Sequence, residues 1–484
     1  MQGEQMTSTP EALTTDSIGS RLDRLRWSGT HVTILMALGA GWLFDSLEVN
    51  LVGSVINPLS EHFHATTDQS SRIYWVWLLG ILFGAMAGGQ LADRFGRRRL
   101  FVATLLWYCG FTVLTAASPS LDVLYVLRFL TALGVGAEYA IINAAIMEFM
   151  PARVRGRAAA AVMNFWPVGA IASGLIAYLM LNTFALANAV SWRYGFALGG
   201  ILALIVLVFR RRLPESPRWL AAQGRLQEAD AVLRRLEEKA GIDPHAPEGS
   251  DEHELRAPPF RYALVELVRR YPARLALGCT LDLSEAFGYY GIFAVLSIVV
   301  LKQVDYTDAE IPFFFILGNV GAVIGGICMT LAFDRIGRRW TVGAYYALAG
   351  ASVGGLAAAT ASGSKTWVLL AFMVSNAFAT GAWTAAYPTF TELFPTHLRA
   401  AGIGTSVAVG RLGAAYGTLY LPSLASQIGP TPSYLLIVAF WGLGVAAIVI
   451  WTLCGGVDGA RKPLSAVSAA AGRRADRPPA PASQ

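Results

Sequence analysis

Five ionisable side chains stand where the chain around them is almost wholly apolar. Asp45 and Glu48 lie in the apolar run near 30–57, Asp282 and Glu285 in the run near 273–301, and Arg411 mid-way along the run at 400–426. A charge near a bilayer centre costs at least ~2.5–3.5 kcal/mol on insertion scales, so a charged residue retained there has a partner or a task. Both acid pairs read Asp-x-x-Glu, and residues three apart share a helix face, so each run can aim two carboxylates at one cavity. The pairs are expected at equivalent places in two related halves of the chain. Carboxylates so placed can take up and release a proton, or balance a cation. Asp45 could instead be neutralised by Arg128. Arg411, flanked by Gly410 and Gly413, reads either as a counter-ion for these acids or as a fixed cation that meets a substrate carboxylate through paired hydrogen bonds. Glu138 is a further candidate. Asn143, Asn164, Trp166, Asn319, Asn376 and Tyr387 could complete a polar and aromatic lining, although each also reads as a packing or helix-bridging residue.

The elements that carry these residues follow from composition. Of 484 residues, 55% are hydrophobic and 14% charged, against about 25% charged in ordinary soluble chains. Runs of bilayer-spanning length lie near 30–57, 73–92, 100–117, 121–147, 157–181 and 192–210. Six more lie near 273–301, 311–333, 341–361, 366–390, 400–426 and 433–454. The expected fold is all-α and membrane-embedded, with twelve spans in two six-helix bundles, 30–212 and 273–454. Arginines cluster before the first span and after the second, fourth and sixth, whereas 58–70, 118–120, 182–191 and 427–432 hold no Lys or Arg. That alternation puts both termini in the cytoplasm, and the plan suggests a bacterial inner membrane. The net charge of +6 is then a topology signal and not a nucleic-acid surface.

Internal repeats support two halves. The tract from Gly89 through Asp93, Arg94, Gly96, Arg97 and Arg98 recurs as Asp334, Arg335, Gly337, Arg338 and Arg339, at an offset of 241 residues. Glu148-x-x-Pro-x-x-x-Arg155 recurs as Glu392-x-x-Pro-x-x-x-Arg399, at an offset of 244. Gly80, Gly84 and Gly88, repeated by Gly321 and Gly325, form ridges that let helix backbones approach. Matched hydrophobic halves with basic clusters on one side are the build of a secondary transporter. Residues 1–29 are a polar N-terminal segment, 213–272 a cytoplasmic linker with short helices, and 455–484 a disordered tail. Cys109, Cys279, Cys328 and Cys454 are expected as buried apolar side chains. No P-loop, nucleophile elbow, paired-His motif, metal site or cofactor signature occurs, which argues against an enzyme.

At these motifs the chain resembles the major facilitator superfamily. The Gly89–Arg98 tract looks like the loop between its second and third spans. Arg128-Phe-Leu-Thr-Ala-Leu-Gly-Val-Gly136 and Pro214-Glu-Ser-Pro-Arg-Trp-Leu220 resemble motifs of its sugar-porter branch, and Glu392–Arg399 the block after its tenth span. The resemblance implies alternating access between two bundles. It also implies a cytoplasmic charge network of Asp93, its basic neighbours, Glu148 and Arg155, mirrored by Asp334, Arg338, Glu392 and Arg399. The chain departs from sugar porters where their seventh span carries amides. Asp282 and Glu285 stand there, and Tyr387 takes the place of a tenth-span tryptophan. Trp42-Leu-Phe-Asp45-Ser-Leu-Glu48 looks instead like metabolite:proton and aromatic-acid:proton symporters.

The expectation is a monomeric carrier that moves protons together with a small organic metabolite, a carboxylate or aromatic acid. Asp45, Glu48, Asp282 or Glu285 would carry the proton and Arg411 would hold the substrate anion. The alternatives are a proton antiporter exporting a cationic or amphiphilic compound, a sugar:proton symporter, and a non-transporting sensor.

Overall fold

The computed structural model describes residues 15–184, 186–210, 213–242, 260–336, 338–394 and 398–455. A short helix α1 (Thr15–Arg24) precedes α2 (Gly29–His62), α3 (Thr67–Phe95), α4 (Arg97–Ala116) and α5 (Leu121–Phe149). The fifth span is broken at Asn164 into α6 (Ala152–Met163) and α7 (Phe165–Tyr178), the latter ending in a π-helical turn. The sixth comprises α8 (Asn188–Ala203) and α9 (Val206–Arg210). Between the halves lie α10 (Pro217–Ala222), α11 (Leu226–Ala240) and α12 (Phe260–Arg270). The second half runs α13 (Pro272–Val295), α14 (Leu301–Gln303), α15 (Ile311–Ile336), α16 (Arg338–Ala361), α17 (Lys365–Leu393), α18 (Arg399–Ile428) and α19 (Pro430–Leu453).

Eleven of the described helical stretches are long and apolar enough to cross a membrane. The twelfth span is α18, 30 residues long, whose small and polar residues, Arg411 among them, dilute its apolar character. The caps follow local chemistry. Thr66 and Gln69 close a reciprocal capping box at the start of α3, and Ser120 and Ser364 cap α5 and α17. Gly96 ends α3 at φ +92°, a backbone state that any Cβ would oppose.

The two halves repeat one packing plan. In the first, α2 lies along α7 and α8, α3 along α5, and α4 along α5 and α8. In the second, α13 lies along α18 and α19, α15 along α17, and α16 along α17 and α19. The halves meet through α3 against α18 and α7 against α15. The glycine ridges act as their spacing implies. Gly84 sits against the Leu133 carbonyl of α5 and Gly325 against the Ala377 carbonyl of α17, leaving no room for a side chain.

A second pair of close approaches lies within the halves. Gly169 meets the Leu43 carbonyl, and Gly413 meets Leu283.

The linker helices form a small layer with their own core. Ile18, Leu22 and Leu25 of the N-terminal segment pack on Trp219, Leu220, Leu233 and Leu236. Arg21 pairs with Asp230 at 2.8 Å and with Glu237 at 2.6 Å. Opposing desolvation and charge act on Arg21, and its bonds to Glu237 win, holding its guanidinium above the ordinary value. The linker at 243–259 and the tail from 456 lie outside the described residues. None of the four cysteines is in a disulfide; Cys109 is buried and Cys279 partly so, but Cys328 and Cys454 are exposed. The expected burial of these last two is corrected, since both face outward from the bundles.

Candidate functional site

In the first half the membrane charges find partners. Glu48 forms an ion pair with Arg128 at 2.9 Å and accepts a hydrogen bond from the Thr112 hydroxyl of α4. The Arg128 guanidinium lies 4.1 Å from the Trp77 ring centroid and 5.1 Å from that of Phe196, which adds cation–π stabilisation. Glu138 pairs with Arg210, which also donates to the Phe101 carbonyl at 2.6 Å. The Glu138–Arg210 pair nests against Gly41, one turn before Asp45; a Cβ at Gly41 would come within 2.8 Å of the guanidinium. Arg128 is thus the partner of Glu48 and not of Asp45. Asp45 is fully buried, and neither of its oxygens has a hydrogen-bond partner among the described residues.

In the second half the base sits among hydroxyls and rings. Arg411 is 1% exposed and donates to the Tyr290 hydroxyl at 3.2 Å and to the Tyr387 hydroxyl at 3.4 Å. The ring centroids of Trp383, Tyr290 and Tyr139 lie 5.0, 5.5 and 5.8 Å from its guanidinium carbon. No described carboxylate lies at ion-pair distance, and its Nε has no partner. Asp282 is buried with both oxygens unpartnered, packed against Gly410, the residue before Arg411. Glu285 accepts from the Tyr346 hydroxyl at 2.6 Å and leaves its other oxygen free.

Aromatic rings extend the cage across the seam. Trp42 lies 4.5 Å from the Tyr139 ring and 5.7 Å from that of Trp166. Trp166 donates to the Tyr289 hydroxyl at 3.1 Å, joining the halves. The adjoining cavity, lined by Asn50, Tyr74, Trp166, Tyr289, Tyr290 and Phe293 among others, is about 20 Å³, space for about one water. Inter-half hydrogen bonds lie on either side of this cavity. Asn164 donates to the Thr330 hydroxyl at 3.0 Å towards the arginine-rich face. Tyr74 and Ser297 share a bond at 3.2 Å, and Asn182 donates to the Ala309 carbonyl at 2.9 Å, towards the other face.

Other candidates serve structure. Asn376 donates to Asn319 at 3.2 Å and to the Gly318 carbonyl, bolting α17 to α15. Asn143 bonds back to the Tyr139 carbonyl of its own helix. Spacing missed Tyr139, Tyr290 and Trp383, although Trp383 and Tyr387 stand four apart on one helix face. It missed Arg210 as well, which reads as a topology marker at the end of a span.

On the arginine-rich face, Arg97 pairs with Glu148 at 2.8 Å, and the backbone N–H groups of Arg97 and Arg98 donate to Glu215 at 2.9 and 3.2 Å. Glu215 thereby neutralises the positive end of α4. Burial pushes the Glu148 carboxyl up, against the opposing pull of Arg97. Arg94 is exposed, beside Phe95. The side chains of Gly89, Asp93, Arg155, Asp334, Arg335, Gly337, Arg338, Glu392 and Arg399 lie outside the described residues, so the mirrored network in the second half is untouched by this geometry. Arg339 is partly buried.

A two-bundle helical fold with a buried charged and aromatic centre is that of a membrane transporter and not of an enzyme. The chain matches the model of the sugar (and other) transporter family over residues 34–458, and it belongs to that family, within the major facilitator superfamily. It is 29% identical over 400 residues to the niacin transporter NiaP of Acinetobacter baylyi, covering 81% of this chain and 87% of that one. It is 26% identical over 406 residues to the 4-hydroxybenzoate transporter PcaK of Pseudomonas putida, covering 82% and 85%. The proton:xylose symporter XylE shares the fold at a TM-score of 0.72 and 18% identity, covering 91% of this chain and 100% of that one.

Proposed function

We propose that this transporter moves a small organic acid, an aromatic monocarboxylate by preference, together with protons. The observation that carries this reading is Arg411, buried in a cage of Tyr139, Tyr290, Trp383 and Tyr387 with no described carboxylate at ion-pair distance. A desolvated guanidinium with open N–H donors is completed by a bidentate carboxylate, and the surrounding rings suit a flat substrate. The names of two relatives agree, since niacin and 4-hydroxybenzoate are each a ring bearing a carboxylate.

Asp45 and Asp282 are the proton carriers in this proposal. Neither accepts a hydrogen bond or forms an ion pair among the described residues, so a bound proton relieves part of the cost of burying that charge. Glu48 is set apart from that task by Arg128. Arginine placement supports a bacterial inner membrane with the Arg97–Glu148–Glu215 network on the cytoplasmic side, where it would latch one of the two access states. One chain holds both halves and is proposed to work as a monomer.

The test is uptake of labelled benzoate-type acids, aliphatic acids and hexoses into vesicles with an imposed inward proton gradient. Acid uptake that collapses with a protonophore is the expected result. Hexose uptake would point to a sugar symporter, and gradient-driven loss of an organic cation to an exporter; either sinks the proposal.

A further inference from the structure

A cleft of about 720 Å³ opens on the arginine-rich face between the start of α4 and the linker helices α10 and α11, away from the seam between bundles. Its charged lining is Arg98, Arg99, Arg225, Arg235, Glu215 and Glu228. Both acids are already occupied. Glu215 accepts the N–H groups at the start of α4, and Glu228 takes two guanidinium donors of Arg225 at 2.7 and 2.6 Å. Arg99 and Arg235 are exposed and make no ion pair or hydrogen bond among the described residues. They belong to different walls, one to α4 and one to α11, so the cleft presents cationic donors from two sides and no free acid to answer them.

The floor of the cleft leads to an apolar outer wall. Val102, one turn into α4, also lines it. Beyond it α4 exposes Leu106, Trp107 and Leu114 at 49, 46 and 52%. Ile205 and Val208 of the adjoining sixth span are exposed at 51 and 58%. These side chains lie on a membrane helix outside the bundle core, where the bilayer is the available solvent.

The geometry points to a binding site for an anionic phospholipid, with its phosphate held by Arg99 and Arg235 and its acyl chains along the outer wall of α4. The source is the cytoplasmic leaflet, given the orientation proposed above, where anionic lipids attract basic segments at membrane level. The bound headgroup would tie α11 to α4. Because α11 also holds Arg21 through Glu237, it would fasten the whole linker layer to the first bundle.

Native mass spectrometry of the full-length protein, purified in detergent with phosphatidylglycerol or phosphatidylcholine added, tests this. Phosphatidylglycerol is expected to be retained over phosphatidylcholine, and R99Q/R235Q to cut that retention roughly tenfold or more. Neither residue belongs to the transport site. Equal retention of the two lipids, or undiminished phosphatidylglycerol on the double variant, overturns the site. Displacement by glycerol 3-phosphate would assign the cleft to a water-soluble phosphate and overturn the lipid. Should the double variant not fold, the wild-type protein decides alone. Retention of phosphatidylglycerol must then weaken with rising salt, as exposed charge attraction does, and salt-independent retention counts against the proposal.

Discussion

The two halves share their helix pairings but not their treatment of buried charge. The first closes its account internally, with Glu48 on Arg128 and Glu138 on Arg210. The second surrounds Arg411 with hydroxyls and rings and leaves Asp282 without a partner. A satisfied buried pair is costly to break and stabilises one arrangement. An unsatisfied buried base is a cost the fold carries until a ligand offsets it. On the proposed reading the first half is mainly scaffold and the second mainly recognition, with Asp45 and Tyr139 the exceptions in the first half.

The sharpest way to break that division is Glu48→Gln, which strands Arg128. It should destabilise the protein by about 3–5 kcal/mol, read as a fall in melting temperature in detergent, with Glu48→Gln/Arg128→Gln recovering part of the loss. If the single variant melts like the wild type, the first half is no scaffold.

Arg411→Ala should lower acid uptake by about a hundredfold or more with a smaller change in melting temperature than Glu48→Gln, because no direct ion pair is broken. Arg411→Lys keeps the charge but not the planar fork, and should remain well below wild type. Undiminished transport by the alanine variant would remove recognition from the second half.

Asp282→Asn and Asp45→Asn should each lower gradient-driven uptake roughly tenfold while sparing exchange of substrate across the membrane at equal pH. Gradient response surviving in both would take proton coupling away from these two acids.

Glu215→Gln weakens the cap on α4 and should cost about 1 kcal/mol of stability, measured by thermal melting. A loss as large as that of Glu48→Gln would make this face, and not the membrane charges, the main scaffold.

The smallest effect is expected at Glu310, on the opposite face. Its bond to Lys365 and the Thr307 N–H hold its carboxyl down to about 2. A depressed value stabilises the fold above the ordinary carboxylate range, near pH 4, and that share is lost as pH falls towards 2. The pair is exposed, so Glu310→Gln should change stability at neutral pH by no more than ~0.5 kcal/mol. A larger shift would mean that far-face pairs outrank their exposure.

Much of this architecture was legible along the chain. Apolar run lengths gave the spans, since a bilayer demands internally bonded helices of set length. Repeated glycines gave the α3–α5 and α15–α17 approaches, because only a missing side chain admits a neighbouring carbonyl. Composition also marked Asp45, Glu48, Asp282, Glu285 and Arg411, since a charge among apolar neighbours is conspicuous in one dimension. The partner of each is not. Glu48 and Arg128 stand 80 residues apart, and Glu138 and Arg210 stand 72 apart. Which acid meets which base depends on helix rotation and crossing. The sequence alone determined that charges are buried here and on which spans, because desolvation cost is a property of residue and environment. Only the tertiary structure decided that Arg128 makes a direct ion pair and Arg411 makes none with a described carboxylate, because pairing requires contact within a few ångströms and helix packing sets that distance.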